Sequence, residues 1–170
     1  GIGKNDLKKV LPRLSRYKSA KYVEFLSLFL IDRKFLVSTG ETYRVSHTFL
    51  DWLQDSRQAY QDMLTWYMTT TAWNEEVIEG NTVHVEPRPQ GLTAPAPFRR
   101  VVLSLLAEMP RDRWCVEKGF LAEALPKIRQ ELPRRSDPLN YEKHTRSNEL
   151  VVESILAECL CWLGVVAIGL

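Results

Sequence analysis

At 170 residues the chain is long enough for one or two small domains, each with its own core. Its 45 % apolar and 26 % charged residues exclude wholesale disorder. A net charge of only +2 excludes a uniformly basic or acidic binder, so any charge-driven partner must be met by a local excess of one sign.

Asn5 or Asp6 is expected to cap a first helix, with Leu7, Val10, Leu11 and Leu14 at spacings of three and four. Pro12 lies late in that helix and should bend or end it. After a turn at Ser15 to Tyr17, a second helix is predicted from about Ser19 to Arg33, its apolar face made by Tyr22, Val23, Leu26, Phe29 and Leu30. Phe35 to Val37 reads as a short strand and Ser38 to Glu41 as a turn that uses Gly40. Thr42 to Val45 alternates and returns as the partner strand. Two helices across a tight turn, followed by a β-hairpin, make a winged helix-turn-helix, whose second helix can lie in a major groove.

Ser46 is a good cap for a helix carrying Phe49, Leu50, Trp52 and Leu53. Asp55-Ser56 should interrupt it before a further helix from about Arg57 to Thr71. Phe49, Trp52, Tyr60, Trp66, Tyr67 and Trp73 make residues 47–79 an aromatic packing hub, expected as a brace between units. Asn74 to Pro97 is a connector in which Thr82 to Val85 suits a short strand. Pro87, Pro89, Pro95 and Pro97, with Gly91, forbid long regular structure after it.

Beyond the connector a helix is predicted from Phe98 to Glu108, ended by Pro110, and another from about Val116 to Gln130. Leu132 to Asn140 reads as a polar loop, and the last helix as about Thr145 to Leu163. That helix carries the stripe Val152, Ile155, Leu156, Cys159, Leu160 and Leu163. Gly164 should end it, and Val165 to Ile168 should be a strand. Residues 155–170 are apolar but short for a membrane span, and Glu158 interrupts them.

A duplication runs through this order. Lys118 to Ile128 lies over Lys4 to Leu14 without a gap, with Lys4/Lys118, Leu7/Leu121, Leu11/Leu125 and Pro12/Pro126 identical. Val23 to Leu26 then matches Val152 to Ile155, and Leu36-Val37 matches Val165-Val166. The expected fold class is therefore mainly α with short β-hairpins (α+β): tandem winged helix-turn-helix units joined by helices and a Pro-rich connector. Residues 1–46 form the first unit, 47–79 the helical brace, 80–97 the connector and 98–170 the second unit. The first copy lacks an opening helix and the second lacks a returning wing strand. An unpaired terminal strand would need another segment or chain to complete it.

The Leu-x-x-x-Leu-Pro helix, the leucine-rich helix running into a short strand, and the helix-Pro-x-x-x-Trp pattern from Leu105 to Trp114 resemble tandem winged-helix modules. Those modules occur in the accessory region of bacterial XPB-type helicase-related proteins. The resemblance implies a module that sits beside helicase or nuclease parts. It carries over no catalysis, because the chain has no Walker motif.

Charge is concentrated at one end. Seven basic residues against the single acid Asp6 give residues 1–21 a net +6, which leaves −4 for the remainder of a chain totalling +2. In a winged helix this segment is the first helix, the turn and the start of the recognition helix, the parts that meet phosphates and base edges. The candidate DNA-binding residues are Lys8, Lys9, Arg13, Arg16, Lys18 and Lys21, with Arg44 on the wing. The corresponding part of the second copy has Arg134, Arg135, Lys143, His144, Arg146 and Asn148. It also has Glu142, Glu149, Glu153 and Glu158, so it suits protein contact better.

No enzyme chemistry is expected. His47, His84 and His144 lack metal-ligand spacing to one another or to Cys115, Cys159 and Cys161, and there is no phosphate loop or nucleophile elbow. Asp51, Asp55 and Asp62 read as ordinary exposed acids. The three cysteines read as reduced, core-type residues, which fits a cytoplasmic or nucleoid-associated protein. The expected function is a non-enzymatic module with weak, phosphate-directed DNA affinity, without cofactor, metal or membrane. A protein-interaction scaffold that uses the same winged-helix surfaces is the alternative.

Overall fold

The computed structural model describes residues 8–40, 42–73, 75, 96–110, 114–131, 141–167 and 169. The expected cap at Asn5 or Asp6, the strand over Thr82–Val85 and the loop Leu132–Asn140 lie outside them. The described residues are mainly helical with one two-stranded antiparallel sheet, and they fall into two compact units, one up to Trp73 and the other from Glu75 on.

In the first unit, residues 8–10 are helical and run into a 3-10 turn at Leu11–Arg13, where Pro12 ends the regular structure as expected. Helix α1 spans Ala20–Asp32. Ser19 caps it, its hydroxyl accepting from the Tyr22 amide at 3.0 Å. Strands β1, Leu36–Ser38, and β2, Tyr43–Val45, pair antiparallel with Leu36 opposite Val45, Val37 opposite Arg44 and Ser38 opposite Tyr43. Gly40 takes the positive φ of +96° that the tight turn requires.

Helices α2, His47–Gln54, and α3, Ser56–Thr69, follow. Ser46 precedes α2 but does not cap it through its side chain, which is engaged with the Thr48 hydroxyl at 2.7 Å. Asp55 breaks the two helices apart and caps α3, accepting from the Gln58 amide. Asp62 is not the ordinary exposed acid expected. One of its oxygens accepts from the Trp52 indole at 3.0 Å and the other from Gln58 at 2.8 Å, which ties α2 to α3.

The aromatic residues of α2 and α3 build the core of the first unit itself. Phe25 meets Trp66 and Trp73 edge-on at 5.4 and 5.3 Å, and Phe29 meets Trp52 and Trp66 at 5.5 and 5.4 Å. Phe35 adds Trp52 at 4.9 Å, so the strand approach is locked to α2. Edge-to-face pairs of this kind add about 1 kcal/mol each to the burial of the rings.

The second unit is a cluster of three helices in mutual contact: α4, Ala96–Glu108; α5, Glu117–Glu131; and α6, Tyr141–Ser154. A π-helical segment at Ile155–Leu160 prolongs α6. Phe98, Val102, Ala124, Ile128, Val152, Ile155 and Leu160 make a largely aliphatic core. Within it Arg99 and Glu75, both fully buried, form a two-pronged ion pair at 2.8 and 3.1 Å.

Pro126 does not end its helix as Pro12 does. Its missing amide breaks the rung to Ala122, both residues are exposed, and water can serve the freed carbonyl. Ala124, Leu125 and Ile128 are buried around it and hold the helix through to Glu131.

The two leucine-proline segments thus have different surroundings, yet α1 and α6 end alike. At the end of α1, Phe35 N–H bonds Leu30 C=O and Lys34 N–H bonds Ile31 C=O, with Lys34 left-handed at φ +59°. At the end of the prolonged α6, Val165 N–H bonds Leu160 C=O and Gly164 N–H bonds Cys161 C=O, with Gly164 left-handed at φ +72°. Both are Schellman motifs. The copies are offset by 129 residues at Val23/Val152 and by 130 at Lys34/Gly164. The π segment lies between those points. Its wider turn absorbs one extra residue. With that shift, all three buried residues of α1 meet buried counterparts: Val23/Val152, Phe25/Ser154 and Phe29/Cys159.

One expectation fails here. Val165 to Ala167 are not a strand, and Ile168 lies outside the described residues. The Val165 and Val166 amides both turn back to Leu160 C=O to close the helix, so they are not presented to a neighbouring strand. Val165 and Val166 therefore form no strand edge that a partner segment would complete.

Candidate nucleic-acid interface

The predicted site residues fall into one continuous tract and one outlier. Lys8 and Lys9 are exposed on the helical residues before the 3-10 turn, and Arg13 is exposed at the end of that turn. Arg16 and Lys18 are exposed on the extended approach to α1, and Lys21 is half-buried in its first turn. Residues 8–23 contain these six cations and no acid. The start of α1 adds the positive end of the helix dipole to the same place.

Sequence reading missed how this approach is held. The Arg16 guanidinium lies 5.2 Å over the Tyr17 ring, and Tyr17 meets Tyr22 edge-on at 5.2 Å. The stack fixes Arg16, and so the path of the chain, against the first turn of α1. Burial pushes the Tyr22 hydroxyl above its ordinary range, against the pull of Arg16.

Arg44 belongs to a different element. It is exposed on β2, opposite Val37, and follows the far end of α1 in the chain. Among the described residues the side chains of Lys8, Lys9, Arg13, Lys18 and Arg44 make no hydrogen bond or ion pair.

In the second unit, the side chains of Lys143, His144 and Arg146 lie outside what is described. Glu149, Glu153 and Glu158 are half-buried along the last helix, and Glu158 accepts from the Ser154 hydroxyl at 2.6 Å. Glu153 occupies the position of Glu24 in the first copy.

Among the described residues no group of His, Cys, Asp and Glu has the arrangement of a metal site, and no helix is long and apolar enough to cross a membrane. Cys115 is exposed, whereas Cys159 is buried and Cys161 half-buried. A shallow hollow of about 40 Å³ beside Cys115, lined by Leu105, Met109, Phe120 and Glu123, has little more than the room one or two waters need. No protein-family model, curated protein or solved structure matches this chain.

Proposed function

We propose that the first unit is a non-enzymatic, winged-helix DNA-binding module, part of a larger helicase, nuclease or genome-maintenance protein. The observation that carries this reading is the acid-free tract from Lys8 to Lys21, set on the approach to α1 within a helix, turn, helix and hairpin order. Phosphate neutralisation by such a tract gives weak affinity with a steep salt dependence. The resemblance to helicase-associated modules supports the same setting, and such a role belongs with the nucleoid in the cytoplasm. Titrating a labelled duplex by fluorescence polarisation at several salt concentrations tests it. Six phosphate contacts predict a log–log slope of about −5. Affinity that does not change with salt would remove the reading.

A second reading, a protein-interaction scaffold, is favoured by exposed apolar side chains. Leu50 and Leu53 are 63 % and 50 % exposed on one face of α2, and Trp114 is 76 % exposed in the second unit. Pull-down of a partner that depends on Leu50 and Leu53, with no DNA affinity, would favour this reading.

A further inference from the structure

Helix α1 is the element a winged helix would lay in the major groove. Its buried residues Val23, Phe25 and Phe29 fix the side that faces the core. The stripe on the other side, at spacings of four, three and four, is Ala20, Glu24, Ser27 and Ile31, with Leu28 beside it. Apart from Lys21, which flanks it in the first turn beside Glu24, that stripe has no Arg, Lys, Asn or Gln, the side chains whose paired donors and acceptors read purine edges. Ser27 is its one neutral polar residue, and its hydroxyl donates to the Val23 carbonyl at 2.7 Å. Ile31 is exposed and apolar. Glu24, half-buried, sets a carboxylate one turn from the cationic tract. Burial raises its pKa above the ordinary carboxylate value, and Lys21 lowers it in part.

Resting on the DNA-binding reading, we infer that the first unit grips the sugar-phosphate backbone alone. The tract from Lys8 to Lys21 makes the contacts, α1 does not read base edges, and Glu24 holds the affinity down. The ligand is therefore any duplex of sufficient length, without preference for sequence. Ala20, Ser27, Leu28 and Ile31 are bystanders to binding.

The test is a polarisation titration of the full chain at low salt against short duplexes of equal length: one A·T-rich, one G·C-rich and one mixed. Their Kd values should agree within about threefold, where a sequence reader would separate them by far more. Ser27→Ala should leave all of them unchanged. Glu24→Gln should tighten all of them by about threefold, the effect of removing one unit charge roughly 7 Å from a phosphate in water. A preference above about tenfold for one duplex, abolished by Ser27→Ala or Leu28→Ala, would overturn the inference and leave DNA binding in place. An unaltered Kd in Glu24→Gln, with its circular dichroism preserved, would remove Glu24 from the account. Binding to none of the duplexes would overturn the DNA reading beneath it.

Discussion

The two units carry related helices, α1 and α6, to different ends. Each helix buries the same three positions and closes with the same pair of hydrogen bonds. In the first unit those positions are Val23, Phe25 and Phe29, and the space around them is filled by tryptophans and tyrosine from α2 and α3. In the second they are Val152, Ser154 and Cys159, and the buried apolar residues of α4 and α5 are aliphatic apart from Phe98 and Phe120. The first unit carries a tract of one sign, the six cations from Lys8 to Lys21. The second holds a pair of opposite sign, Arg99 and Glu75, with no exposure at all. The lesson is that a backbone motif tolerates wide exchange of core chemistry, and that the two units place their charges differently.

The largest effect expected is at the buried ion pair. Glu75→Ala leaves the Arg99 guanidinium buried without its carboxylate and should cost about 4 kcal/mol, measured by urea denaturation. Glu75→Ala combined with Arg99→Leu should lose clearly less than Glu75→Ala alone, because no uncompensated charge remains. Equal losses would mean the pair is not coupled.

Next come the equivalent core positions. Phe29→Ala should cost about 3 kcal/mol, and Cys159→Ala about 1 kcal/mol, in line with the smaller volume removed. A reversed order would break the proposed equivalence of the two helices.

The helix ends offer a subtler comparison. Gly164→Ala places a Cβ on a left-handed residue and should destabilise by about 1 kcal/mol. Lys34→Gly relieves the same strain and should stabilise by a similar amount, about 1 kcal/mol, less the flexibility that glycine gives the unfolded chain.

The smallest effect is at Glu24. Its folded pKa is raised, so the stability tied to its protonated form is present below the unfolded value and is lost as pH rises through the folded one. Glu24→Gln should therefore be slightly more stable than the parent near neutral pH. That gain should vanish as pH falls through the carboxylate range. A gain that grows on acidification would contradict the sign.

Much of the first unit was legible beforehand. Three- and four-residue spacing marked α1, Gly40 between alternating runs marked the hairpin, and the run of lysines and arginines marked the charged approach. Gly164 likewise announced the end of the last helix. Other features left no such trace. Lys34 adopts a glycine's conformation without being one, so nothing in the residue type flagged it. The π segment shifts the register of the repeat by one residue, which an ungapped match of Leu36-Val37 to Val165-Val166 could not register. The structure pairs Phe35 with Val165 instead. Arg99 lies in an apolar helical stripe and Glu75 in a polar connector, so their burial depends on a contact across 24 positions that no local pattern encodes. The bond from the Trp52 indole to Asp62, across ten positions, is equally invisible to local pattern. The emptiness of the outer face of α1 also emerged only once burial had fixed which residues point away from the core.

The proposed affinity for DNA rests on the first unit and not on the second. The direct measurement is a salt-dependent polarisation titration of three proteins: the parent, Lys18→Glu/Lys21→Glu, and Lys118→Glu/Lys127→Glu as the charge-matched change in the second unit. The first double variant should lose most of the low-salt affinity and about two units of log–log slope, while the second behaves as the parent. Equal behaviour of the two variants, whether both bind or both fail, would contradict it.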